Sequence, residues 1–112
     1  MADEFSKETE NLIVQFQNYQ QQMQNILIQK ESLKLQLLEV ERALEELDKA
    51  KQTTAYKITG QIMVSKPVEE LKKELSEMKE NVDIRIQSLE KTESRVNERL
   101  TDLQTKLKEV IK

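Results

Sequence analysis

The sequence predicts an all-α chain with a small β-hairpin: a long antiparallel coiled-coil helical hairpin whose connecting β-hairpin joins an oligomeric β-barrel. Three observations carry this expectation. Charged residues make up 35% of the 112 positions and aromatic residues 4%, with no Trp, a composition of long helices that leaves too little apolar bulk for a globular interior. Apolar residues recur with a period of about 3.5 on both sides of the middle of the chain. Between those two arms, residues 53–67 (TTAYKITGQIMVSKP) hold both the single Gly and the single Pro, and there the spacing turns strand-like.

The first arm is expected over residues 4–52, with Ser6 as its N-cap. Its seam steps alternately by four and three through Leu12, Phe16, Tyr19, Met23, Ile26, Lys30, Leu33, Leu37, Val40, Leu44 and Leu47. An arm of this size is roughly 70 Å long at about 1.5 Å per residue. From Asn11 to Gln29 no residue is charged, and the polar positions are almost all Gln or Asn. The same stretch has more apolar groups than one seam needs, since Ile13, Leu27 and Ile28 fall off it. One reading is a wider stripe packed on another helix. The other is an adaptable uncharged surface for apolar partners, which desolvates no fixed charge when it binds.

The connecting segment is expected over residues 53–66 as two short strands around a turn at Thr59-Gly60. Its alternation suggests that Tyr56, Ile58, Ile62 and Val64 share one face. An isolated hairpin is marginal in water, and its edges invite pairing with other strands. Tyr56, Ile58, Gly60, Ile62 and Val64 are therefore read as an oligomerisation element that several copies or relatives combine into a common sheet or barrel.

The second arm is expected over residues 67–112, opening on Pro67, whose missing N–H costs nothing at the first helical position. Glu69 and Glu70 complement the helix dipole. Its seam runs Val82, Ile86, Leu89, Glu93, Val96, Leu100, Leu103, Leu107 and Val110, with Val68, Leu71, Leu75 and Met78 in another phase nearer the hairpin. Two steps of four, Met78 to Val82 to Ile86, join the phases and locally unwind the supercoil. Folded antiparallel, the two seams meet wherever residue numbers sum to 119, as Phe16 does with Leu103 and Leu33 with Ile86. The polar interruptions Lys30 and Glu93 fall in adjacent layers of that register, where an offset ion pair fixes alignment at some cost in stability.

Function classes narrow by what the chain lacks. Without His or Cys, the commonest bases, thiol nucleophiles and soft-metal ligands are missing together, and one glycine makes no phosphate-binding loop. Runs such as Glu45-Glu46 and Glu69-Glu70 read as solvated helix faces. No enzyme activity, cofactor or metal is expected. A net charge of −3 with no basic block argues against nucleic acid. An acidic start, MADEFSKETE, and the lack of any run of about 18 apolar residues argue against secretion and membrane insertion, so a soluble cytoplasmic protein is expected.

A long helix, AYKITGQIMVSKP, then a second long helix resembles the β-type subunit of archaeal prefoldin over essentially the whole chain. The most specific part is Tyr56-Lys57-Ile58 followed by Gly60-Gln61-Ile62-Met63-Val64, and a single hairpin points to the β type. The resemblance implies an ATP-independent holdase, a hexamer of two alpha-type and four beta-type subunits joined through a double β-barrel. It also implies six coiled-coil tentacles that hold non-native chains at their tips and pass them to a cytosolic group II chaperonin. Matching parts are present in the residues: Phe5, Leu12, Ile13, Phe16 and Tyr19 at one chain end, and Leu103, Leu107, Val110 and Ile111 at the other, form the expected client-binding tips. Frayed helix ends expose such groups, and six tips multiply weak contacts. The alternatives are a passive coiled-coil scaffold and a filament-forming homo-oligomer.

Overall fold

The computed structural model describes residues 2–111, and the side chains of residues 7–110. Four elements follow in order: helix α1 (Ala2–Lys49), strands β1 (Thr54–Thr59) and β2 (Ile62–Pro67), and helix α2 (Val68–Ile111). This is the arrangement of two long helices about one antiparallel hairpin that the sequence suggested. The chain divides into two compact units. We call residues 32–86 the hairpin unit, and residues 1–31 with 87–112 the terminal unit.

Helix α1 is built from Leu, Gln, Glu and Lys without an internal Gly or Pro, all strong helix formers. It starts at Ala2, so Ser6 lies inside the helix and is not its N-cap; nothing in the preceding residues breaks a helix. It ends at Lys49, short of the expected residue 52. Ala50 N–H still donates to Glu46 C=O at 3.0 Å, after which the β-branched Thr53 and Thr54 favour extended backbone. Pro67 closes β2 and does not open α2. Because it has no N–H, the last rung at the hairpin base comes from Val68 N–H, which donates to Thr53 C=O at 2.8 Å. That bond also satisfies one of the free donors in the first turn of α2. In α2 the hydroxyls of Thr92, Thr101 and Thr105 donate to carbonyls one turn back.

Burial follows the 3.5-residue period. In the hairpin unit Leu33, Val40, Val68, Leu71, Val82 and Ile86 are buried, flanked by half-buried Leu37, Leu44, Leu47 and Leu75. In the terminal unit Ile26, Val96 and Leu103 are buried, and Leu12, Phe16, Tyr19, Met23, Leu89, Leu100, Leu107 and Val110 are half-buried. Among the described residues no side chain is completely enclosed, as a seam one residue thick dictates. Interhelical ion pairs support the antiparallel register. Lys72–Asp48 (3.1 Å) and Lys79–Glu41 (3.8 Å) in the hairpin unit, and Lys30–Glu93 in the terminal unit, all lie within about one helical turn of the expected alignment.

The phase change in α2 comes about two turns earlier than expected. Met78 is 49% exposed, whereas Lys79 is half-buried, so the steps of four run Leu71, Leu75, Lys79. The aliphatic stem of Lys79 lies along the seam while its ammonium reaches Glu41. Met78 is thereby turned outward.

Candidate functional site

The hairpin is a two-stranded sheet whose outer edges have no partner among the described residues. Its rungs pair Thr54 with Pro67, Tyr56 with Ser65, Lys57 with Val64, Ile58 with Met63 and Thr59 with Ile62. The loop is therefore Gly60-Gln61, one residue later than expected. Gly60 has φ +61° while Gln61 does not have a positive φ, the pattern of a type II′ turn with glycine in its first central position. A Cβ at Gly60 would meet nothing within 4 Å, so backbone conformation, not space, demands glycine there.

The register corrects the expected face. Directly opposed residues of an antiparallel pair share a face. Tyr56, Ile58 and Met63 therefore lie on one side, and Ile62 and Val64 lie on the other with Lys57 and Lys66. Carrying the alternation straight through the turn treats the hairpin as one continuous strand. A two-residue loop instead pairs even positions of β1 with odd positions of β2. Both faces are apolar near the turn: Ile58 is 70% and Ile62 66% exposed, and Tyr56, Met63 and Val64 are exposed as well.

At the base of the hairpin the lysine face is anchored to α2. Lys57 from β1 and Lys66 from β2 both donate to the Glu74 carboxylate, at 3.2 and 2.7 Å, and Lys66 also lies 3.9 Å from Glu70. The hydrogen bonds from Lys66 and then Lys57 hold the Glu74 carboxyl below its ordinary value. The Glu74 bond in turn raises Lys66. Through this clamp the hairpin leans on α2 on one face.

The terminal unit presents a second apolar surface. All of its exposed large apolar side chains, among those described, belong to α1: Ile13, Val14, Leu27 and Ile28, the last 65% exposed. They sit in the uncharged stretch 11–29. Val14 and Ile28 each follow a seam residue by two positions, about 200° around the helix, and so point away from α2. Of the expected tip residues, Leu103 is 5% exposed and belongs to the seam. Leu12, Phe16, Tyr19, Leu107 and Val110 are half-buried, and only Ile13 is openly exposed. The side chains of Phe5 and Ile111 lie outside the described residues. Val14, missed in the sequence as an exposed group, carried the same signal as Ile28.

Beside this surface, Lys30 Nζ lies 2.5 Å from Glu93 Oε1, with both side chains partly shielded from solvent. The bond to Glu93 raises the Lys30 pKa against the opposing effect of desolvation. No helix among the described residues is long and apolar enough to cross a membrane. Among the described residues, no cluster of acidic groups is arranged to hold a metal ion.

Comparison with known proteins agrees with this geometry. Residues 10–112 match the prefoldin subunit family. The chain is 38% identical over 109 residues to prefoldin subunit beta of Archaeoglobus fulgidus, covering 96% of this chain and 94% of that protein. It is 33% identical over 102 residues to prefoldin subunit beta of Thermococcus onnurineus, covering 90% and 88%. Its fold superposes on the crystal structure of the prefoldin beta subunit from Thermococcus strain KS-1 with a TM-score of 0.83, at 29% identity and covering 91% and 90% of the two chains. Two long helices, one II′ hairpin and relatives of the beta type along nearly its whole length lead to one conclusion: the chain belongs to the prefoldin family, among its beta subunits.

Proposed function

We propose that this chain is the beta-type subunit of a cytoplasmic, ATP-independent holdase. It assembles through its hairpin with an alpha-type prefoldin subunit, two alpha to four beta. Through the terminal unit it captures unfolded proteins and passes them to a group II chaperonin. The observation that carries this reading is the apolar face of α1, where Ile13, Val14, Leu27 and Ile28 stand exposed in a stretch with no charge. A passive spacer has no use for exposed aliphatic groups, which invite aggregation. An unfolded client offers apolar segments in variable order, and amide side chains accommodate them without stripping water from fixed charges. The register role of Lys30 and Glu93 belongs to the same reading, because it keeps the α1 face clear of α2.

The expected tips are redistributed by this reading. Leu103 stays in the seam, Leu12, Phe16, Tyr19, Leu107 and Val110 contribute when helix ends fray, and the standing surface is on α1. The test is light scattering from a heat-denatured client, with the parent assembly and with one carrying Ile13→Ser, Val14→Ser, Leu27→Ser and Ile28→Ser. Loss of suppression by an intact oligomer is expected. Undiminished suppression by that variant returns the chain to a scaffold role.

A further inference from the structure

In the terminal unit an open groove of about 600 Å³ lies along the helix pair. Its apolar floor is made by Met23 and Leu27 of α1 and Leu100 of α2. Its rim is four amide side chains, Gln17, Gln20, Gln21 and Gln24, and no charged residue lines it. A second groove of about 490 Å³ shares Met23 and Leu27 and adds Glu90, Glu93, Ser94 and Asn97 of α2. Gln20 and Leu27 each follow a seam residue by one position, about 100° around the helix, as Glu90 and Asn97 do on α2. The two grooves therefore form one lane on one flank of the pair, uncharged at the glutamines and acidic at the other end. Lys30 already holds Glu93 at 2.5 Å, whereas Glu90 is exposed and makes no salt bridge among the described residues.

The chemistry of this lane specifies its occupant. A Gln side chain carries both a carbonyl acceptor and amide donors, the complement of what each residue of an extended backbone leaves open. A helix or a folded protein has already used those backbone groups internally, so the amide rim finds nothing to bond in either. An extended chain also turns alternate side chains to one face, which suits a floor only as wide as Met23, Leu27 and Leu100. At the acidic end the Glu90 carboxylate attracts a cation. We infer that the lane binds an unfolded client as an extended apolar segment with a flanking Lys or Arg. The Gln17, Gln20 and Gln24 amides bond its backbone, alternate side chains rest on the apolar floor, and the basic residue meets Glu90. This rests on the holdase reading and specifies which segments of a client are held.

The test is fluorescence anisotropy of short labelled peptides of alternating Leu and Ser, titrated with the assembly formed with an alpha-type subunit. A peptide ending in Lys is expected to bind about three-fold more tightly than one ending in Glu. Glu90→Gln is expected to erase that preference while helical circular dichroism stays unchanged, because the residue is exposed. Backbone N-methylation at the serines removes donors and leaves every side chain in place, and is expected to weaken binding about five-fold. Gln20→Leu with Gln24→Leu is expected to bind the methylated and unmethylated peptides alike. Equal binding of the two peptides by the parent assembly, or a methylation loss that persists in the Gln variant, would overturn the backbone contact. A Lys preference that survives Glu90→Gln would overturn the orientation. Light scattering with a heat-denatured client separates the two readings. If the parent suppresses aggregation but binds no peptide, the lane is refuted and the holdase stands. If it does neither, the holdase reading fails as well.

Discussion

The hairpin unit and the terminal unit both expose apolar side chains where charge is absent, but on different kinds of backbone. In residues 58–65 the apolar groups ride on strands whose edges have no partner among the described residues. Unpaired N–H and C=O groups impose direction and register on whatever binds them. In residues 11–29 the apolar groups ride on a helix whose backbone bonds are already made within itself, so only side chains remain to be touched. The first surface suits a partner of fixed structure. The second suits a partner with none. Ion pairing accompanies the hairpin unit: Lys57, Lys66, Lys72 and Lys79 each hold a carboxylate there.

The contrast breaks most completely at the turn. Ile58→Asp together with Ile62→Asp places a charge on each face of the hairpin, and native mass spectrometry is expected to find the oligomer gone while helical circular dichroism persists. An oligomer of parental mass would mean that assembly does not use the strands. Next in size is the difference between seam and surface within the terminal unit. Leu103→Ala is expected to cost about 2–3 kcal/mol of stability in denaturant unfolding, since Leu103 is buried. Ile28→Ala is expected to stay within about 0.5 kcal/mol while lowering client holding. Equal costs at the two sites would show that Ile28 is packed and not free.

A smaller effect concerns register. Replacing both members of the ion pair, Lys30→Leu with Glu93→Leu, is expected to raise the melting temperature, because two partly desolvated charges give way to seam leucines. The same change is expected to permit alternative alignments, visible as doubled amide signals in NMR. A lower melting temperature would mean that the ion pair contributes more than apolar packing in its place. The smallest effect is electrostatic. Glu74 titrates below its usual 4.5 when folded, so its contribution is present above that pH and fades as the pH falls through the depressed value. Lys66 titrates above 10.5, so its contribution is present below that pH and is lost as the pH rises further. Glu74→Gln is expected to flatten the acid limb of the melting curve, and an unchanged limb would show the clamp to be idle.

Much of this was legible in the sequence because a coiled coil writes its packing as a period. Leu33, Val40, Val82, Ile86 and Val96 were all seam positions by spacing and are all buried. The constant-sum register put Lys30 and Glu93 in adjacent layers where an offset ion pair was possible, and the pair forms. What escaped depended on geometry that linear spacing omits. The pairing parity of a two-residue loop separates Ile58 from Ile62, although both fit one alternating pattern. Likewise Met78 and Lys79 compete for one position, and apolarity alone favours Met78. The long lysine stem and a carboxylate at Glu41 decide otherwise. The exposed face of α1 was visible as surplus apolar residues, but its separation from the seam needed the two-residue offset of Val14 and Ile28. Both ends of α1 and the start of α2 were misjudged by one to three residues, where Ser6 and Pro67 gave boundary signals that the surrounding backbone does not use.

The most direct test of a division between assembly and capture uses a photo-crosslinking amino acid at position 28 or at position 58 of otherwise parental chains. Each is assembled with an alpha-type subunit and mixed with a denatured client. The account predicts that position 28 crosslinks to client and position 58 to a neighbouring subunit. Client adducts at position 58, or subunit adducts in place of client at position 28, would contradict it.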